Sequence, residues 1–245
     1  MSDIVRTLAI VQHTSSEYLG LMEDHLEGRR IRFRYFRPFT AGGRLPSLAE
    51  AAGGLVLLGG GPWGVVPGER QLPSLDAELQ LTAQALAAGT PVVGIGLGAQ
   101  ILALAAGGKA EPRPPVFEVL AAGRVAADAL AGLLPQSYPL VRYGRDEATL
   151  PPAARVLARD PRGAPALFQL GGRAFGFSGH PGVKSAIIED LIMEFPDSPA
   201  EIAPQLAALR GAQPALEAAL VPIMGGLIRS LRLMDEALAD GPDKY

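Results

Sequence analysis

No cysteine occurs anywhere in the 245-residue chain. Disulfides, thiolate metal sites and every mechanism that attacks through a cysteine sulfur are therefore excluded. Neither sign of charge prevails. The 22 Lys and Arg against 25 Asp and Glu leave a formal net charge of −3, which gives no electrostatic basis for holding nucleic acid or an anionic membrane surface. Histidine is scarce, and His13, His25 and His180 do not have metal-ligand spacing. No metal and no cofactor is expected. Long apolar runs are also missing: none reaches the roughly 18 residues that would suggest a membrane span. The opening MSDIVRTLAI lacks the basic start and long apolar centre of a signal peptide, so a cytoplasmic location is the expectation.

What is present reads as an ordered globular chain, 48% hydrophobic and 19% charged, long enough for a sizeable core. Residues 4–13, IVRTLAIVQH, read as a buried strand. Tyr18, Leu19, Met22 and Leu26 follow at helical spacing, and IRFRYF (31–36) is a second β-prone run. GLVLLGGG (54–61) is an apolar strand ending in three glycines. SLDAELQLTAQALAAG (74–89) is an amphipathic helix closed by Gly89. PVVGIG and AQILALAAGG give the next strand and helix. Such alternation implies a parallel sheet with helices on both faces.

Beyond about residue 112, shorter β-like pieces between Pro and Gly turns suggest a mixed or antiparallel edge (VFEVLAAGRVA, PLVRYG, ARVLARD, PALFQLGG, AFGFSGH). Residues 1–195 read as one core domain and 196–245 as a helical extension packed on it. Ser198, Pro199 and Glu201 have the order of a capped helix start. The last helix carries a stripe of Leu216, Leu220, Ile223, Met224, Leu227, Ile228, Leu231 and Leu238, bent or interrupted near Pro222 and Gly225-Gly226. This stripe either packs on the parent domain or docks a partner, as in a homodimer. The arginines at 29, 30, 32, 34 and 37 read as a solvated helix end and an edge strand.

The stretch PVVGIGLGAQ (91–100) admits two readings. Gly94, Gly96 and Ala99 satisfy G-x-G-x-x-G/A between a strand and a helix, with Glu111 17 residues beyond Gly94 as a ribose-binding acid. That would make a dinucleotide site.

The second reading covers more of the chain. GLVLLGGGPWGVV, a helix, TPVVGIGLGAQILALAAGGKA and then AFGFSGHPG resemble, in this order over roughly residues 4–190, the class I glutamine amidotransferases. There the glycine turn reads G-I-C-L-G-x-Q and the late segment G-x-Q-F-H-P-E. The resemblance implies a flavodoxin-like open, mostly parallel α/β sheet with helices on both faces, here with added C-terminal helices. It places the family's nucleophilic cysteine at Gly96, its catalytic histidine at His180 and the acid behind that histidine at Gly182. Gly60 and Gly61 lie at an oxyanion-hole amide, Leu97 supplies the amide after the nucleophile, and Gln100 matches a residue that holds the substrate glutamine. The family's histidine-glycine-aspartate segment is here Gly144-Arg145-Asp146.

Amide hydrolysis by that route needs an attacking atom, a base and oxyanion donors. Glycine has no attacking atom, and a histidine without its acid loses the group that fixes its tautomer. The resemblance therefore implies a catalytically degenerate protein without glutaminase activity. Such a protein binds a small amide or amino acid around Gly60, Gly61, Gly96, Leu97, Gln100 and His180, or docks on a partner enzyme. The enzyme alternative uses His180 as acid or base in a different reaction. Ser178, two residues before His180 on the same strand face, is a rival nucleophile. His13 reads as a hydrogen-bonded loop histidine at the sheet's active edge, and His25 as a helix-surface residue. Trp63 either walls the pocket or packs beneath its loop. Asp146 and Glu147 read as solvated loop acids. Glu118, in Phe117-Glu118-Val119, stands near the family's Glu-Ile-Gly position.

Overall fold

A computed structural model describes residues 7–197, 199 and 201–234. Strands and helices alternate through the first half as β1 (Thr7–Val11), α1 (Leu21–Glu27), β2 (Arg32–Phe36), β3 (Leu55–Leu57), α2 (Leu75–Ala87), β4 (Val92–Ile95) and α3 (Leu97–Ala105). The second half supplies β5 (Lys109–Glu111), β6 (Val116–Arg124), β7 (Ser137–Gly144), β8 (Glu147–Thr149), β9 (Arg155–Arg159), β10 (Pro165–Leu170) and β11 (Ala174–Phe177). α4 (Ser185–Glu194) and α5 (Ile202–Leu231) follow.

Nine strands form one open sheet in the order β2-β1-β3-β4-β11-β10-β9-β6-β7. The five from β2 to β11 run parallel, and the remaining four extend the sheet antiparallel. AFGF, grouped with the antiparallel pieces by its spacing, instead joins the parallel half beside β4 as β11. β5 and β8 pair in a separate small sheet.

The continuous apolar runs have a direct cause. β3, β4 and β11 are buried at every position, and in β1 alternate residues feed opposite faces. Leu8 and Ile10 join Met22, Leu26, Met224 and Leu227, from α1 and α5, on one face. Ala9 and Val11 join Leu75, Leu81, Ile101 and Leu102, from α2 and α3, on the other. β2 sits at the sheet edge, with Arg32 and Arg34 exposed on it, where charged side chains discourage edge-to-edge pairing.

α2 and α3 stop at glycine-containing motifs. Gly89 N–H bonds to the Leu86 carbonyl and Thr90 N–H to that of Ala85; Gly107 and Gly108 repeat this on Leu104 and Ala103. In each, a glycine at positive φ (Gly89 at 66°, Gly107 at 92°) turns the chain and the last carbonyls gain donors.

Three expectations about the helices change. α1 begins at Leu21, so Tyr18 and Leu19 lie in the loop before it. α5 begins at Ile202 after Glu201 in left-handed backbone, not at Pro199; Ser198, Ala200 and Leu238 lie outside the described residues. α5 also runs unbroken through Pro214 and Pro222. The carbonyls that lose a donor to these prolines belong to Arg210 and Ala218, both exposed, so water satisfies them and the helix tolerates both. By length and composition α5 would also cross a membrane, but its stripe from Leu216 to Leu231 is buried against the protein.

Candidate functional site

The carboxyl ends of β1, β3, β4 and β11 converge where open α/β sheets place their ligands. From them come the loop 12–20, the glycines Gly59–Gly61, the Gly96 turn and the segment 178–182. Gly96 joins β4 to α3 at φ 55°, ψ −114°, a conformation open to glycine and strained for any other residue. A Cβ there would meet only the Gly59 Cα, at 3.5 Å, so the position has room for a side chain. Gly94 and Gly98 are glycines for another reason. Cβ atoms there would lie 2.4 Å from the Gly98 carbonyl oxygen and 2.1 Å from that of Leu57, so they let α3 press on the sheet. Leu97 opens α3, and its amide is among those without a partner inside the helix. Its side chain lies over Gly60, where a Cβ would come 2.1 Å from Leu97 Cδ2.

His180 is buried, and the backbone takes both ring nitrogens. Nε2 lies 2.8 Å from the Tyr18 carbonyl oxygen and Nδ1 3.1 Å from the Gly182 amide nitrogen. A carbonyl only accepts and an amide only donates, so the proton is on Nε2 and the lone pair on Nδ1. Burial lowers the pKa of the ring to about 4, outweighing the Tyr18 hydrogen bond. Ser178 donates instead to the Ala166 carbonyl at 3.4 Å, so no Ser178–His180 pair forms. At Gly182 a Cβ would fall 2.7 Å from Met22 Cγ and 3.1 Å from Met22 N. The start of α1, tied down by the Leu21 amide on the Gly182 carbonyl, fills the space an acid would need.

Gln100 Nε2 holds the Arg145 and Asp146 carbonyls at 2.8 and 3.3 Å, while its buried Oε1 has no partner. Asp146, expected to be solvated, is buried. Its carboxylate accepts the amides of Val65, Val66 and Arg113, which clamps the loop after β3 to that before β6. Three amides replace the hydration it gives up. Glu147 is exposed and ion-paired with Arg113, which also binds Glu111 of β5. Glu118, on β6, takes Arg162 bidentately. Trp63 lines the hollow beside Gly96, Leu97 and Gln100 and packs on the core, with Arg70 over its ring. His25 is half-buried on α1, beside Arg29.

The residues that hold the glycine cradle carried no motif. Glu17, in the loop after β1, is 4% exposed, and its Oε2 accepts the Gly61 amide at 2.9 Å. Its Oε1 lies on the bare face of Gly59, 1.6 Å from where a Cβ would stand. Burial pushes its carboxyl up to about 7, against the Gly61 hydrogen bond and the His13 charge. His13 stands below with no exposed side chain, Nε2 2.8 Å from the equally buried Glu78 and Nδ1 2.9 Å from the Gly59 carbonyl. With Glu78 ionised both partners only accept, and the ring then carries a proton on each nitrogen as an imidazolium. Burial opposes that charge, but Glu78 and the two hydrogen bonds outweigh it and raise the pKa. Ser74 Oγ completes the chain on Glu78 at 2.6 Å.

Comparison with known proteins agrees with this architecture. The family described as "Glutamine amidotransferase class-I" matches residues 43–190, so the chain belongs to the class I glutamine amidotransferases. It is 36% identical over 167 residues to the "GMP synthase [glutamine-hydrolyzing]" of Aeropyrum pernix. That match covers 65% of this chain and 31% of the relative, so the chain spans about a third of it. A solved glutamine amidotransferase from Methylobacillus flagellatus superposes with a TM-score of 0.79 at 24% identity, over 93% of this chain and 96% of that one. One from Thermotoga maritima gives 0.75 at 23% identity, over 93% and 98%. At these identities the two structures speak for the fold.

Proposed function

We propose that this family member lacks glutamine hydrolysis and binds a small amide or amino acid in the hollows that meet at Gly96. The observation that carries the reading is the state of the two positions where the family's chemistry would lie. Gly96 offers no attacking atom, and His180 is a neutral ring with both nitrogens committed to backbone. Loss of the acid is matched by occupation of its space by Met22. The hollows themselves remain, lined by Gly96, Leu97, Gln100, Tyr143 and Ser178. Gly60 lies beneath the Leu97 side chain and the Gly61 amide is held by Glu17, so in this reading the two glycines support the site from behind, within a proposed ligand-binding domain of residues 1–195. The same neutral, engaged ring weighs against His180 as an acid or base.

A second role, docking on a partner enzyme, is favoured by the match to only about a third of a GMP synthase. Ammonia release from glutamine by the purified protein tests the first claim, and turnover above the buffer background sinks it. Calorimetric titration with glutamine and glutamate tests the second, and silence for both shifts weight to partner docking.

A further inference from the structure

A hollow of about 690 Å³ opens between the loop after β3 and the segment joining β7 to β8, walled by Val66, Glu69, Arg70, Pro112, Arg145 and Asp197. That volume falls in the range of about 300–1,000 Å³ typical of small-molecule sites. Its two arginines flank Gly64. The Arg70 carbonyl accepts the Gly64 amide at 2.7 Å. The stem of Arg145 lies on the bare face of Gly64, where a Cβ would stand 3.1 Å from its Cγ and Cδ. Asp146 fixes this arrangement from behind, since its carboxylate ties the Val65 and Val66 amides to the Arg145 segment.

The charges around the hollow leave one cation uncommitted. Asp146 is buried and gives its oxygens to three amides, and Asp197 pairs with Arg70. Glu69 stands exposed on the rim, where water and salt screen it. The Arg145 guanidinium makes no hydrogen bond among the described residues, and its Nε is 3.8 Å from the Asp146 carboxylate. Its side chain is only 28% exposed. Where the class I pattern reads histidine-glycine-aspartate, Arg145 stands at the glycine, so this charge is no part of the family's own chemistry.

We propose that this hollow is a second binding site, separate from those at Gly96, for a small organic oxyanion, with Arg145 as its anchor. A guanidinium presents parallel N–H groups that fit a carboxylate or a phosphate. Arg70 adds a second donor, because a guanidinium has five N–H groups and the Asp197 contact does not use them all. The ligand is organic because a lone inorganic ion would leave most of the 690 Å³ to water. Nothing in this assignment depends on what the Gly96 hollows bind.

Ribose 5-phosphate and citrate present the two kinds of oxyanion, and ribose is the uncharged control. Calorimetry on the wild type in low-salt buffer should show one or both anions bound with a Kd below about 1 mM and ribose silent. Whichever anion binds names phosphate or carboxylate as the recognised group. Arg145→Gln keeps much of the stem over Gly64 and removes the charge; it should weaken binding at least about tenfold, as loss of a charge-assisted bidentate contact does. Arg32→Gln, on β2 at the opposite edge of the sheet from β7, should leave binding unchanged. Trp63 is the chain's only tryptophan and lies under Arg70, so its fluorescence should change with the same Kd. That reading needs no substitution and stands if Arg145→Gln fails to fold. The proposal is overturned by silence for both anions, by binding that Arg145→Gln leaves unaltered, by an equal loss in Arg32→Gln, or by binding that leaves Trp63 emission unchanged.

Discussion

His180 and Tyr18 are locked together by a hydrogen bond of 2.8 Å, the ring's Nε2 proton directed at the Tyr18 carbonyl oxygen. With Nδ1 accepting from Gly182, the histidine is a brace between the loop after β1 and the loop after β11. It holds the wall of the hollow together and has no lone pair to offer a nucleophile.

Restoring the family's sulfur is therefore not expected to restore its reaction. In Gly96→Cys the new side chain has room, since its Cβ meets only the Gly59 Cα at 3.5 Å. The backbone at φ 55°, ψ −114° makes any non-glycine residue cost about 1–3 kcal/mol. Ammonia release should stay at background while the midpoint of urea unfolding falls. Measurable glutaminase activity in this variant would show that His180 leaves Tyr18 readily.

Restoring the acid should be harder still. An aspartate at Gly182 puts its Cβ against Met22, including that residue's backbone nitrogen at 3.1 Å, which no rotamer change relieves. Overpacking of this kind costs typically about 1–3 kcal/mol. Chemical denaturation of Gly182→Asp should show at least that loss, whereas an unchanged midpoint would mean that the start of α1 gives way.

How far the chain discloses all this depends on which residues carry a local signal. The parallel half is legible because strands covered on both faces must be apolar throughout, as in LVL and VVGI. Gly89 and Gly107 announce helix ends because left-handed backbone demands glycine there. The turn at Gly96 is legible through its flanking Gly94, Gly98 and Gln100. Glu17 and Tyr143 are not, since a loop has no periodicity to flag one residue and a β7 tyrosine at a buried position looks like core. Glu78 left a clue. It falls on the stripe of Leu75, Leu81 and Ala85 that α2 turns to the core, and an acid on such a stripe requires a buried partner. His13 is that partner, but nothing local links two residues 65 positions apart.

The His13–Glu78 pair yields a third prediction. Both side chains are fully buried, and breaking such a pair by removing one member strands the other charge at a cost of about 3–5 kcal/mol. Glu78→Ala should lose stability on that scale in equilibrium unfolding. Replacing both together, as His13→Leu with Glu78→Met, should lose less than the sum of the single losses, because no charge is left stranded. Strict additivity would mean that the two residues act independently despite their 2.8 Å contact.

The last prediction concerns the pH dependence of stability, where two buried groups oppose each other. Burial raises Glu17 from 4.5 to about 7. Between those values the folded state keeps a proton that the unfolded chain has released, so Glu17 makes stability fall as pH rises. Burial lowers His180 from 6.5 to about 4. Across that range the unfolded chain holds a proton that the folded state lacks, so His180 makes stability rise with pH. From pH 4.5 to 6.5 the two slopes have opposite sign and offset each other, with His25, also lowered by burial, adding to the rising side in variant and wild type alike. His13, held charged, loses its contribution only above pH 6.5, outside this window. Glu17→Gln removes the falling slope and exposes the rising one. Its unfolding free energy should climb by about 2–3 kcal/mol over the window, each fully titrating group contributing up to about 1.4 kcal/mol per pH unit. Urea titrations at pH 4.5, 5.5 and 6.5 measure this, and profiles for variant and wild type that run parallel would contradict it.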